Sequence, residues 1–435
     1  MRVSSSMIYN QGVAGIEQTQ QSQAQLQQQI SSGLRVNAPS VDPVAAAAVL
    51  NLQQSQSINT QYTTNAGTAQ AQLGFEDNAL SNLTTLLQTV NTQAVSAGNG
   101  VMSNSDRTSL AAQLQQSYQQ LLSIANSTDG NGQYLFAGYN ATAAPFNETA
   151  PGSVAYSGDA GQRQVQIGTA SAVTIGDSGN AVFRDIKNGN GSFVAAAGGG
   201  NTGSGVISPG TVTAPAKWNV PGNSQNFSIK FYVDNTQTPP VTSYDIVDNA
   251  SSKSLLTGAA AGGGPYLRTY TPGAAISLAT QSPPDTNPTP FDYGASVSIS
   301  GAPSSGDTFS VNASSNQDIF STLHGLITTL QNGSSGTATS NANYQNSLNA
   351  AMSNIGNALN SVLTTRASVG ARMNQVTAAQ TTAQNLGLQY TQNISGLQDV
   401  NITQAISSLN QQQITLQAAE QSFVKITSLN LFSLL

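Results

Sequence analysis

Charged side chains are so scarce in this chain that each one can be asked what chemistry it could do. Glu76 and Asp77 stand together in a Leu-rich stretch, and Arg366 and Arg372 stand in a second such stretch far downstream. Glu76 falls at an apolar seam position. A buried carboxylate–guanidinium pair there, within or between subunits, would set register; a solvated edge position is the alternative. The single His, His324, sits in a short amphipathic stretch and reads as a boundary residue, since one imidazole builds neither a zinc cluster nor a triad. The chain has no Cys, which removes thiolate ligands, a thiol nucleophile and a disulfide framework. Asp129-Gly130-Asn131-Gly132 opens like a calcium loop but lacks the downstream acidic ligands, so it reads as a turn. Gly198–Gly205 is not followed by Lys-Ser/Thr and is no phosphate loop. Triplets such as Asn140–Thr142 and Asn312–Ser314 are expected by chance among so many Asn, Ser and Thr. No catalytic residue, cofactor site or metal site is expected, and the chain is not read as an enzyme.

Composition narrows the partners. Only 7% of residues are charged, against about 25% in ordinary soluble proteins, and Gln, Asn, Ser, Thr, Ala and Gly take their place. A net charge of −6 gives no basic footprint for phosphates, so a nucleic-acid partner is not expected. Nowhere do about 18 apolar residues run together, so no membrane insertion is expected. Met1–Asn10 lacks an apolar run of signal-peptide length, which implies cytosolic synthesis without signal cleavage and leaves the final location open.

The elements that position these residues fall into three zones. From Met1 to about Ser127 and again after Asn316 the chain is rich in Gln, Ala and Leu; the zone between is Gly/Pro-rich. Asp42 can cap a helix with Pro43 at its first position. From there Leu52, Asn59, Ala66, Leu73, Leu80, Leu87 and Ala94 lie seven apart, with Tyr62, Ala69, Glu76, Leu83 and Val90 as a companion seam. Leu348, Ile355, Val362, Val369, Val376, Ala383, Tyr390 and Leu397 make a matching rod. Shorter helices are expected at Arg107–Ala125 and Asn316–Leu330, giving an antiparallel coiled-coil-like bundle. Ser153–Tyr156 and Gln162–Gly168 flank Ser157–Gly161 and predict a β-hairpin. Alternation at Asn226–Val233, Ser243–Val247, Ser296–Ile299 and Thr308–Val311 predicts a β-rich domain. The fold class is α+β, a long antiparallel helical bundle built from both chain ends with an inserted β-rich outer domain.

Two more stripes lie at the extreme ends. Ile16, Thr19, Gln23, Leu26 and Ile30 follow heptad spacing before Gly33. Ile402, Leu409, Leu416 and Phe423 lie seven apart, beside Ala405, Ala419 and Ile426, and Leu429–Leu435 leaves an apolar chain end. Helices this short, with stripes broken by Gln23 and Gln412, are marginal in water. The ends are therefore expected to be largely disordered in the free monomer and to order on burial. Spacing alone leaves open whether they extend the chain's own bundle or pack on neighbouring copies.

MRVSSSMIYNQGVAGI (Met1–Ile16), ISSGLRVNAPSVDPVAAA (Ile30–Ala47) and the segment Asp399–Leu435 resemble the two ends of bacterial flagellin-superfamily axial proteins. QYLFAGYNATAAPF (Gln133–Phe146) and VAYSGDAGQRQVQIG (Val154–Gly168) resemble the hook–filament junction branch of that superfamily; the Ile-Asn-Thr-Asn-like start usual in flagellin is absent. The resemblance covers Met1–Gly176 and Asn316–Leu435. It implies an extracellular flagellar subunit, exported through the flagellar type III route and held beforehand by an export chaperone. Its implied partners are a first junction protein, flagellin and copies of itself in a ring or helical layer. A flagellin, or a surface adhesin acting through the middle zone, are the alternatives. The implied segments are 1–40 and 399–435 as axial helices, 41–184 and 316–398 as halves of the rod, and 185–315 as a variable outer domain. Ile16, Leu26, Ile30, Ile402, Leu409, Leu416, Phe423 and Ile426 are the expected subunit-interface residues.

Overall fold

The computed structural model of the chain describes residues 5–100 and 102–428. Helix α1 (Ser5–Ser32) stops at Gly33, where φ is +73°. Asp42 accepts the Ala45 N–H at 3.0 Å and Pro43 opens α2 (Pro43–Ala97). A capping box of Ser103 and Asp106 starts α3 (Asn104–Ala125). Strands β1 (Phe146–Ala150), β2 (Ser153–Tyr156), β3 (Gln164–Gly168) and β4 (Ser171–Thr174) follow, then a π-helical turn at Asn180–Arg184. The Gly/Pro-rich zone supplies β5 (Ile186–Lys187), β6 (Phe193–Ala197), β7 (Val206–Ile207), β8 (Thr211–Val212) and the one-turn α4 (Pro215–Trp218). It continues with β9 (Asn226–Asp234), β10 (Val241–Asp248), β11 (Lys253–Ser254), β12 (Arg268–Thr269), β13 (Ala275–Ala279), β14 (Asp292–Ser300), β15 (Thr308–Ala313) and β16 (Asn316–Gln317). Asp318 caps α5 (Ile319–Asn332); α6 (Ala338–Gln398) and α7 (Ile402–Ser428) come last.

The described residues form two compact units. One takes in the chain up to Thr68, Gln166–Ala172 and the chain from Val376; the other takes in Ala69–Val165 and Val173–Gln375. In the second unit the heptad seams are the core: Leu73, Leu80, Leu87 and Val90 of α2 and Leu348, Ile355, Val362 and Val369 of α6 are buried. Leu114 and Leu121 of α3 and Leu323, Leu326 and Ile327 of α5 are buried with them. A buried Leu is worth roughly 2–3 kcal/mol in transfer energy, against about 0.3 kcal/mol for an exposed helical charge pair. Seams therefore hold this bundle, and its few charges only adjust it. The antiparallel sense follows from Tyr344 Oη donating to Ala97 O (2.8 Å) and Arg366 Nε donating to Asp77 Oδ1 (3.0 Å).

The same unit contains a two-sheet sandwich. Strands run β11-β10-β9-β15-β6 in one sheet, with β12 also on β10, and β13-β14-β7 in the other, with β8 on β14. Ile229 sits opposite Phe309 and Phe231 opposite Tyr244. These side chains meet Ile276, Leu278, Val297, Ile299 and Trp218 in one core. Neutral amides fasten it to α6: Asn346 Nδ2 donates to Gly205 O (3.0 Å) and Asn357 Nδ2 to Gly189 O (2.8 Å).

Three expectations are corrected. Ser157–Gly161 does not close a hairpin, since β2 pairs with β1 and β3 with β4. The turn is spoken for: Asp159 accepts the N–H groups of Tyr139, Asn140 and Gly161 instead. The working β1–β2 turn is Pro151-Gly152, where Gly152 has φ +78°. Asn316 does not start a helix, because Asn316 and Gln317 pair with Lys187 and Ile186 and leave Asp318 to cap. Finally, the two terminal segments are helices in the chain itself, for the reason given next.

Candidate assembly surface

The terminal seams meet each other. α1 and α7 pack together, with the Tyr9 and Phe423 rings 5.2 Å apart and Phe423 lying over Gly12. A Cβ at Gly12 would stand 2.7 Å from Phe423 Cδ2, so the glycine admits the ring. The link between α6 and α7 is tied to the loop after α1, through Arg35 N to Gln398 O (2.7 Å) and Val400 N to Gly33 O (2.9 Å). Of the predicted interface residues, Ile16, Leu26, Ile30, Leu409, Leu416 and Phe423 are half-buried along this pair, and Ile402 and Ile426 are exposed. Leu429–Leu435 lies outside the described residues.

This pairing leaves much apolar surface open. Among the described residues, roughly two thirds of the exposed large apolar side chains fall in the unit that carries both termini, although that unit holds under a third of the chain. Scattered single apolar residues are ordinary; a concentration of this kind marks an interaction surface. Ile406 (44%), Ile414 (67%) and Val424 (64%) on α7 and Met7 (62%) on α1 are the clearest cases. Spacing missed Ile406 and Ile414 because they lie off the heptad seam; their β-branched, apolar character on a polar helix was the available signal. The same unit has a cleft of about 460 Å³ lined by Ile58, Tyr62, Ile167, Leu386 and Tyr390 with Ser and Thr hydroxyls. Tyrosine is the one titratable residue type in its lining, so it offers packing rather than acid–base work.

The other candidates turn out to be structural. Glu76 is 1% exposed, which overturns the solvated-edge reading. Its Oε1 accepts the Asp177 N–H at 2.8 Å, while Arg372 Nη2 pairs with the Asp177 carboxylate and Arg372 Nη1 donates to Thr174 O at 3.2 Å. Burial, then the Asp177 charge, pushes the Glu76 carboxyl up to about 8. Asp129 accepts the Asn131 and Gln133 N–H groups and the Gln72 amide, as a turn residue should. Burial alone would raise its carboxyl, but those donors outweigh burial and hold it below the usual range. His324 is half-buried on α5 against Tyr118. The amides of Thr202 and Gly203 in the Gly-rich loop are taken by the Asp307 carboxylate, which closes that loop to an anion. Gln133–Phe146 supplies Phe136 and Phe146 to an aromatic cluster with Phe183 and Phe320, a packing role that spacing did not disclose. Among the described residues, no group of three or more metal-ligating His, Cys, Asp or Glu occurs and no helix is long and apolar enough to cross a membrane.

Comparison with known proteins adds to this geometry. The family models for the bacterial flagellin N-terminal and C-terminal helical regions match residues 3–141 and 352–435. The chain is 41% identical over 186 residues to flagellar hook-associated protein 3 of Salmonella typhimurium, and 39% identical to that of Escherichia coli. The matched stretch is 43% of this chain and spans 58% of the length of each relative. The crystal structure of flagellar hook-associated protein 3 from Legionella pneumophila is similar over 80% of this chain and 98% of its own, with a TM-score of 0.70 and 27% identity. FlgL of Xanthomonas campestris is similar over 79% and 99%, with a TM-score of 0.66 and 29% identity.

Proposed function

Because the chain belongs to the bacterial flagellin superfamily, on its hook-associated protein 3 branch, we propose that it is a structural subunit joining the flagellar hook to the flagellin filament. The observation that carries this reading is the concentration of exposed apolar side chains in the unit holding both termini. Neighbouring axial subunits cover those faces: a first junction protein on one side, flagellin on the other, and copies of this chain in a ring or helical layer. Ile402 and Ile426 touch neighbours directly. The half-buried set from Ile16 to Phe423 shapes the helix pair that presents them. The terminal segments 1–40 and 399–435 act as the axial layer, and 185–315 faces outward. Export through the flagellar type III route, without signal cleavage and with a chaperone on the C-terminal helix, delivers the chain to the extracellular flagellum. Cysteine-free, weakly charged sequence supports that route, since no disulfide can lock the chain in transit. The role is mechanical, and no chemical step is assigned to any residue.

Deletion of Val400–Leu435 tests the proposal. Cells carrying it are expected to lose filaments and to shed flagellin into the medium; filaments of normal length and number would sink the reading. Purified full-length chain seeded on filament fragments separates a junction subunit, which stops after a thin layer, from a flagellin, which keeps growing.

A further inference from the structure

The Glu76 site joins α2, α6 and the 174–178 segment, which leads from β4 into the π-helical turn. Two carboxylates stand there with one guanidinium, which pairs with Asp177. Arg372 is committed to Asp177 and to Thr174 O, and Gln162 Nε2 also donates to Asp177 Oδ1 (3.2 Å). Glu76 receives one backbone N–H at Oε1, while Oε2 is buried and no donor reaches it, its side-chain neighbour being the Asp177 carboxyl. A fully ionised site would hold two negative charges against one positive in a water-poor pocket, with one carboxylate oxygen unsatisfied. That arrangement is stable only with a proton on Glu76.

The surrounding charges do not relieve it. On α2 the adjacent Asp77 is paired with Arg366 of α6. On β3's approach Arg163 lies beside Gly176, but its Nη1 donates to Gln133 and its charge acts on Asp129. The charged groups that act most strongly on Glu76 are Asp177 from the 174–178 segment and Arg372 from α6.

We infer that Glu76, Asp177 and Arg372 form a proton-dependent latch, closed while Glu76 is protonated and released in alkaline medium, which fastens the 174–178 segment to the helical bundle. On release the proton passes from Glu76 to water, the ionised carboxylate seeks solvent, and the Asp177 N–H loses its acceptor. The π-helical turn beyond the latch carries Phe183 into the aromatic cluster, so a loosened segment frees one wall of that cluster while the heptad seams stay closed.

Hydrogen exchange on the full chain between pH 6 and 9, corrected for the intrinsic rate at each pH, tests the latch. Opening exposes Glu76 to water, so the protection of the Asp177 amide in the wild-type chain should fall by up to about tenfold per pH unit between pH 6 and 8 and then level off. Glu76→Gln keeps the shape and cannot ionise, so its protection should stay flat. Asp177→Asn removes the repelling charge and frees Arg372, so its fall should end at a lower pH than in the wild type. If Glu76→Gln lowers protection across 72–80 at every pH, the comparison rests on Asp177→Asn. A pH profile identical to wild type in Asp177→Asn, or in a folded Glu76→Gln, overturns the latch.

Discussion

Removing the Phe423 ring should open the terminal helix pair without disturbing the rest of the chain. The ring is largely buried, so of the roughly 180 Å² an aromatic side chain can bury about 130 Å² is covered. At about 25 cal/mol per Å² that is roughly 3 kcal/mol, and the contact with Tyr9 at 5.2 Å adds about 0.5 kcal/mol. A loss of about 3.5 kcal/mol is close to four-hundredfold in an opening equilibrium. For Phe423→Ala, amide protection over 5–32 and 402–428 is therefore expected to fall by roughly that factor, while protection over Leu73–Val90 and Leu348–Val369 stays put. Gly12→Ala checks the contact from the other side, because its Cβ would stand 2.7 Å from Phe423 Cδ2. Its effect should be clear in the wild-type chain and vanish in Phe423→Ala, a coupling that a double-mutant cycle reads directly. Additive effects, or a loss under threefold, would refute the packing argument. Unprotected terminal amides in the wild-type chain would refute the intrachain pairing itself.

Two further outcomes are expected. Glu76 binds its proton more tightly in the folded chain, near 8, than at its ordinary value of 4.5. Between those values the native state holds a proton that the unfolded chain lacks, so stability is greatest below about 4.5 and falls as pH rises, by at most about 1.4 kcal/mol per unit. Glu76→Gln should abolish that slope, matching wild type near pH 5 and exceeding it by on the order of 3 kcal/mol at pH 8 in denaturant titrations; parallel curves would show that Glu76 ionises freely in the fold. In the sandwich, Arg268 and Asp285 are fully enclosed, with Nη2 and Oδ2 2.6 Å apart. Arg268→Ala strands the Asp285 charge and should cost about 3–5 kcal/mol, seen as early thermal unfolding and proteolysis at 253–290; a cost below about 1 kcal/mol would mean that water reaches the site.

Legibility in the sequence followed the range of each interaction. The seams from Leu73 to Val90 and from Leu348 to Val369, the Asp42-Pro43 start and the alternating strands β9, β10, β14 and β15 were readable because heptads, caps and alternation are local. Asp159 defeated local reading. Its carboxylate serves Tyr139 and Asn140, some twenty positions upstream, so a strong turn signature did other work and a weaker Pro-Gly did the turning. Glu76 was ambiguous for the same reason: its position said core and its charge said edge, and the Asp177 N–H that reconciles them lies a hundred residues away. The two-residue strands β11, β12 and β16 are too short to show any period. The terminal stripes could be seen but not assigned a partner, since a seam is equally satisfied by its own chain or another.

The Arg268 side chain has one more consequence. β12 belongs to one sheet and β13 borders the other, and the guanidinium spans them, donating to Ser277 O and Ala279 O (3.1 and 2.6 Å). Those carbonyls belong to a border strand, where unanswered backbone groups are a template for a foreign strand. For the junction subunit proposed above, crowded among copies of itself, that hazard would be greater than for most proteins. Here a single planar cation answers the Ser277 and Ala279 carbonyls from within the fold, so at those positions the border strand offers a foreign strand no free acceptor.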